Sequence, residues 1–142
     1  MNSGFIISLE HKITIQKFSG TITKQKILQL LSDQYKSNDY IDTTKIISDF
    51  RETKVNFNEE DLLEITTFIK INSTNKNEIL NVIITDDPMT TAYTMIFQDL
   101  MSDQNNYKCF VCSTIRKASE YLELPEKIIA SLIEQAFSKA IS

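Results

Sequence analysis

An α/β fold with a mixed, mostly parallel sheet is what this chain predicts, and three patterns predict it. Glu78 to Thr85 is a near-continuous apolar run (Ile79, Leu80, Val82, Ile83, Ile84), as expected of a strand covered on both faces. The break Thr85-Asp86-Asp87-Pro88 follows and opens an apolar-striped helix, which marks a strand-to-helix unit. Strand-like and helix-like segments alternate after an N-terminal hairpin, giving the order β-β-α-β-α-β-α-β-α-α. That alternation implies right-handed crossovers and parallel neighbours, with one antiparallel strand.

The hairpin comprises Phe5 to Glu10 and Lys12 to Ser19, with a turn at His11. Ile13 and Ile15 alternate with Thr14 and Gln16, which predicts one wetter face. Gly20 ends the second strand, and Thr23 caps a helix from Lys24 to about Lys36. Its Ile27, Leu28, Leu31 and Tyr35 share a face. Ser37-Asn38-Asp39 breaks it, and Lys45 to Phe50 is a short strand. Asn58 caps the next helix, which should reach about Ile71. Glu59, Glu60 and Asp61 complement its dipole, and Phe57 is placed to staple onto Leu62. Polar Asn72 to Asn77 is a loop.

Asp87 caps the helix after the apolar strand, with Pro88 at its first position. Met89, Ala92, Tyr93, Ile96, Phe97 and Leu100 recur there at helical spacing, predicting a core-facing stripe. Tyr107 to Cys112 is the last strand and Thr114 to Leu122 the helix after it. Pro125 opens a final helix with Ile128, Ile129, Leu132, Ile133, Ala136, Phe137 and Ala140 on one side. So apolar a helix must bury its stripe, on its own domain or on a second chain. The expected organisation is therefore an α/β domain over residues 1–124 and an amphipathic helix over 125–142. Leu132, Ile133, Ala136 and Phe137 are the expected self-association surface of a possible homodimer.

A length of 142 residues suits one domain. Fifteen basic against nineteen acidic residues leave a net charge of −4, which disfavours a nucleic-acid or anionic-membrane partner. No apolar run is long enough to span a bilayer. The start Met1-Asn2-Ser3-Gly4-Phe5-Ile6-Ile7 lacks the basic region and apolar length of a signal peptide, so a cytoplasmic location is expected. Gly4 and Gly20 are the only glycines, which excludes a Walker loop and a G-x-G-x-x-G fingerprint. Cys109 and Cys112 form a C-x-x-C inside a strand, where residues three apart face opposite ways. Two ordinary thiols follow, not a redox or zinc pair. His11, the only histidine, belongs to an exposed turn.

Phe18-Ser19-Gly20-Thr21-Ile22-Thr23, the strand end Ile46-Ile47-Ser48-Asp49-Phe50-Arg51, the acidic-capped helix and Val82-Ile83-Ile84-Thr85-Asp86-Asp87-Pro88 together resemble the SpoIIAA-like (STAS-like) small bacterial proteins. The resemblance covers about residues 4 to 124. It implies a four- or five-stranded mixed sheet flanked by helices, with no active site and no cofactor. Members acting as anti-sigma-factor antagonists present a phosphorylatable Ser at the start of the helix after the third strand. The matching stretch, Val55-Asn56-Phe57-Asn58-Glu59-Glu60-Asp61, departs from that pattern. It has no Ser, Thr or Gly, and its three carboxylates would repel an added phosphate.

Candidate partner- or ligand-facing residues are Asp49, Arg51, Asp86, Asp87 and Thr90. Strand ends of a parallel sheet converge, so the three aspartates could together bind Mg²⁺ or hold a general base. Each also has an ordinary reading, Asp87 as a helix cap and Asp86 as a turn residue. Arg51 suits an anionic ligand or a partner's carboxylate, or simply pairs with Asp49 or Glu52. Thr90 is either a phosphorylation site or an early-turn threonine. No catalytic signature, metal site or cofactor is expected. The first functional expectation is a non-enzymatic cytoplasmic interaction or regulatory module that docks a protein partner. The second is a carrier of a small apolar ligand or lipid, held between the sheet and the helix bearing Met89, Met95 and Met101. A metal-dependent regulator built on the Asp cluster is third.

Overall fold

Successive side chains on a strand face opposite ways, so a strand apolar at nearly every position requires two cores. The chain supplies both. In the computed structural model, which describes residues 3–74, 76 and 78–141, the elements run in this order: β1 Ser3–Ser8, β2 Ile13–Phe18, β3 Gly20–Thr23, α1 Lys24–Lys36, a 3₁₀ turn Asn38–Asp42, β4 Lys45–Asp49, β5 Thr53–Asn56, α2 Glu59–Ser73, β6 Ile79–Ile84, α3 Pro88–Leu100, β7 Tyr107–Cys112, α4 Ile115–Leu122 and α5 Glu126–Ile141. Asn75 and Asn77 of the expected loop lie outside the described residues.

Five strands form one sheet in the order β1-β2-β4-β6-β7. The β1-β2 hairpin is antiparallel and the other neighbours are parallel, so the predicted fold class is the observed one. Ile46 and Ile83 enter the core under α1, α2 and α3, whereas Ile47, Val82 and Ile84 enter the core under α4 and α5. Two strands were not anticipated. β3 and β5 pair in parallel as a separate ribbon, each too short to show a period. Gly20 turns the chain from β2 into β3 at φ 73, a left-handed conformation natural to glycine, and its N–H donates to the Glu52 carbonyl at 3.0 Å.

β2 has no wetter face. It lies inside the sheet with both faces covered, and Thr14 and Gln16 are as buried as Ile13 and Ile15. The caps follow the sequence: Thr23 accepts from the Lys26 N–H, and Asn58 and Asp61 form a reciprocal capping box at 2.9 and 3.0 Å. The helix α2 runs to Ser73, two residues past the expected end. In α1 the buried face centres on Ile27, Leu30, Leu31 and Gln34, with Leu28 and Tyr35 at its margin. His11 is half-buried, not exposed, because its turn leans on α5; its Nε2 stands 3.7 Å from Glu10.

The terminal helix α5 lies on β1 and β2 of its own chain. A Cβ at Gly4 would lie 3.0 Å from the Ala140 Cα, so any larger residue there would push the helix away by a few tenths of an ångström. Leu132, Ile133 and Ala136 are buried in that contact, which corrects their assignment to a self-association surface. Of the four, Phe137 alone keeps much exposure, at 37 %.

Cys109 faces the α1–α3 core and Cys112 the other, as strand geometry requires; both are free thiols. Burial pushes the Cys109 thiol up to about 12 and raises Cys112 as well. The thiolate is the reactive form, so in native protein at pH 7.5 both should label far more slowly with a disulfide reagent than in urea, Cys109 slowest of all. Rapid native modification of Cys109 would contradict the packing.

Candidate functional site

The C-terminal ends of β2, β4 and β6 bring most of the candidate residues together, and the chain's own bonds determine what they can do. Asp49 ends β4 with 0 % exposure. Arg51 Nε and Nη2 donate to its two oxygens at 3.0 and 2.8 Å, and the Arg51 N–H adds a third bond at 3.0 Å. Lys17 Nζ lies 3.4 Å away on the other side and donates to the Arg51 carbonyl at 3.2 Å. Both Asp49 oxygens are thus committed to cations. The bidentate bonds to Asp49 raise the Arg51 guanidinium above its usual value. Asp49 is therefore a buried counter-ion rather than a ligand-facing residue, and Arg51 is its clamp.

Glu52 follows in the left-handed conformation, φ 63. A non-glycine residue held there needs several restraints. Its N–H donates to the Asp86 carboxylate at 3.2 Å, and its carbonyl accepts from Gly20. One residue so joins the β2-β3 bend to the β6-α3 turn. Asp86 stays exposed, while Asp87 caps α3 by accepting from the Thr90 N–H at 3.0 Å. Thr90 itself is fully buried. Its hydroxyl lies 3.2 Å from Asp87 Oδ2 and 3.4 Å from the Thr53 carbonyl, which corrects its reading as a partner-facing or phosphorylatable residue. Glu52, Asp86 and Asp87 line a shallow cleft with Gly20, Thr21, Thr53 and Lys54. Among the described residues no three His, Cys, Asp or Glu side chains gather as a metal site would require. The Asp49, Asp86 and Asp87 set is divided by its separate bonds, and the metal reading does not survive that division.

The Asp87 cap has a pH signature. The Thr90 N–H holds the Asp87 carboxyl below the ordinary carboxylate value of 3.8. A depressed folded value means the cap's contribution is complete above the unfolded value and disappears as pH falls through the folded one. Carboxyl-carbon titration by NMR should place Asp87 below 3.8, and amide exchange at Thr90 and Thr91 should quicken under acid. Asp87→Asn should keep the cap and lose that acid dependence. An Asp87 titrating at or above the ordinary value would contradict this.

The helix α3 differs most from expectation. The predicted core stripe placed Met89, Ala92 and Ile96 inward, yet these three and Met95 face out. Met89 is 62 %, Met95 56 % and Ile96 43 % exposed. Thr90, Thr94 and Phe97 form the buried face, with Met101 just beyond the helix. Hydroxyl bonds set this phase: Thr91 Oγ1 to Thr85 Oγ1 at 2.6 Å and Thr94 Oγ1 to the Thr91 carbonyl at 2.8 Å allow threonines to turn inward. The helix consequently carries apolar residues on both sides, and no described residue covers Met89, Met95 or Ile96 on its outer side. Leu63 of α2, 51 % exposed, is two turns from Lys70, whose ammonium pairs with Asp103 just past α3 at 2.7 Å. Leu63 thus stands on the α3 side of α2.

None of the three methionines lines the cavity beneath these helices. The carrier expected between the sheet and a methionine-lined helix is corrected on that point, since Met89 and Met95 face outward and Met101 fills core. Sequence reasoning also missed Lys17, Glu52 and three polar side chains under the cavity, Gln16, Ser48 and Asn81. Alternating polar positions in β2, β4 and β6 were a signal for the last three, once sheet order is known. No helix among the described residues is long and apolar enough to cross a membrane. No family model, curated protein or solved structure matches this chain.

Proposed function

We propose that this chain is a non-enzymatic interaction module, SpoIIAA-like in kind, which docks a protein partner on the outward face of α3. The observation that carries this reading is the run Met89, Ala92, Met95 and Ile96, apolar and uncovered on a helix whose opposite face is already in the core. A helix apolar on all sides normally has neighbours on all sides, and a contiguous exposed apolar patch favours an interaction surface. Methionine adapts its shape to a partner at low cost, which suits such a surface. Carboxylates outnumber cations beside it: Glu52, Asp86 and Asp87 stand at the start of the helix with Lys54 in the same cleft, and Asp99 lies on its outer face. Charge complementarity favours a partner segment with apolar anchors flanked by Lys or Arg. A cytoplasmic setting is part of the proposal.

The test places a photo-crosslinking amino acid at Met95 and, as a control, at Leu9, another exposed apolar position at 57 %. In lysate of the source organism the Met95 probe should give one discrete adduct, abolished by Ile96→Asp. No adduct, or one equally strong from Leu9, would contradict the proposal.

A further inference from the structure

Between the sheet and α1, α2 and α3 lies a cavity of about 60 Å³. Its walls are carbon, chiefly Phe18, Ile65, Ile69, Ile83 and Phe97, but its floor is not. Three adjacent central strands each supply one polar side chain there: Gln16 from β2, Ser48 from β4 and Asn81 from β6, all at least nine-tenths buried. Apolar residues would fill this layer with less desolvation cost, so three polar ones in a row call for a reason.

The hydrogen bonds define what the floor offers. Gln16 Nε2 donates to Gln34 Oε1 at 2.7 Å, and Ser48 Oγ lies 2.9 Å from Gln16 Oε1 and 3.0 Å from the Asn81 amide. The other end of the Asn81 amide lies 2.8 Å from the Tyr107 hydroxyl. Ser48 has one proton, so only one of its neighbours can be an acceptor. Turning the Gln16 and Gln34 amides end for end resolves the conflict and gives the Gln34 nitrogen, otherwise without a partner among the described residues, an acceptor. Gln34 then donates to Gln16, Gln16 to Ser48, Ser48 to Asn81 and Asn81 to Tyr107, all in one direction. Each floor amide retains a second N–H, for which the described residues provide no acceptor. The floor is therefore rich in donors, and the cavity lining has no charged side chain.

The geometry points to this cavity as a binding site for a small neutral molecule that carries a carbonyl or similar acceptor on an apolar body. An anion is disfavoured because no cation lines the space to offset its burial. Size limits the occupant. A cavity of about 150 Å³ takes benzene, with its six non-hydrogen atoms, so a guest of about two or three such atoms fits this one. Half-buried Phe50, Val55, Phe57 and Tyr93 line the side nearest solvent and form the entrance. The site lies on the inner side of the helical layer and is independent of docking on the outer face of α3.

Four probes of matched size test it on the intact chain: acetonitrile, formamide, formate and propane, titrated by NMR. The first two should produce saturable shifts in the Gln16 and Asn81 side-chain amides and in the Ile65 and Ile83 methyls. Formate at pH 7 should produce none, and propane should bind at least threefold more weakly than acetonitrile. Asn81→Leu, which removes one donor and keeps the volume apolar, should weaken acetonitrile by roughly tenfold. Ile96→Asp should leave all of this unchanged. The inference is overturned if no probe gives a saturable shift, which would leave the floor to water alone. Propane or formate binding as well as acetonitrile would overturn it too. Should Asn81→Leu fail to fold, the probe comparison on the unaltered chain decides by itself.

Discussion

Residues 1–124 expressed without α5 will not unfold cooperatively. The β1-β2 part of the second sheet face, with Ile13 and Ile15, is covered by that helix through Ile129, Leu132, Ile133 and Ala136, while α4 covers β6. Burying a large aliphatic side chain contributes about 1.5–3 kcal/mol, so the three large ones together contribute about 5–9 kcal/mol. A whole domain retains only about 5–15 kcal/mol of net stability. Removing the helix therefore consumes most of the margin and exposes the inner strands as well. Circular dichroism in urea should show a broad, weak transition, and a hydrophobic dye should bind the truncated chain but not the full one. A sharp transition for residues 1–124 would mean that the helix is an accessory, and the two-core account of the sheet would be wrong.

Asp49→Asn should lower the unfolding free energy by about 3–5 kcal/mol, the usual cost of leaving a buried charge without its partner. The stranded charge is Lys17, whose side chain is 6 % exposed and whose Nζ would keep only the Arg51 carbonyl as a described partner. Arg51 is less affected, since it is partly exposed and can turn to water. This difference gives the prediction its second half. Lys17→Met combined with Asp49→Leu removes both buried charges and should recover most of the loss, because well-packed apolar replacements of buried ion pairs are often neutral. Urea midpoints for Lys17→Met, Asp49→Leu and the double variant form the cycle. A single variant within about 0.5 kcal/mol of the parent would contradict the burial of Asp49.

The two variants also mark where the sequence was readable. Ile79 to Ile84 announced a doubly covered strand because its apolar run was unbroken, and Asn58 and Asp87 announced helix starts because capping is local chemistry. The pairing of Asp49 with nearby Arg51 was readable as one alternative, but its burial was not, since its other cation Lys17 is distant in the chain and meets it only through the β2-β4 pairing. A carboxylate at a strand end looks the same whether it faces solvent or a lysine. The helix α3 failed for a different reason: with apolar residues on both sides, its periodicity defines two candidate faces. Hydroxyl bonds from Thr90, Thr91 and Thr94, invisible in the sequence, chose between them. Gln16 was read with Thr14 as the wetter face of β2, and Ser48 and Asn81 are single polar residues within apolar strands. Only the sheet order places them side by side under one cavity.

The outward face of α3 is the centre of the functional account, and its methionines report on it directly. Protein labelled with carbon-13 at the methionine methyls should be titrated with lysate of the source organism. The account predicts that Met89 and Met95 broaden or shift together while buried Met101 does not, and that Ile96→Asp abolishes the change. Methyl signals of Met89 and Met95 that stay where they were, or that respond identically in the Ile96→Asp protein, would contradict it.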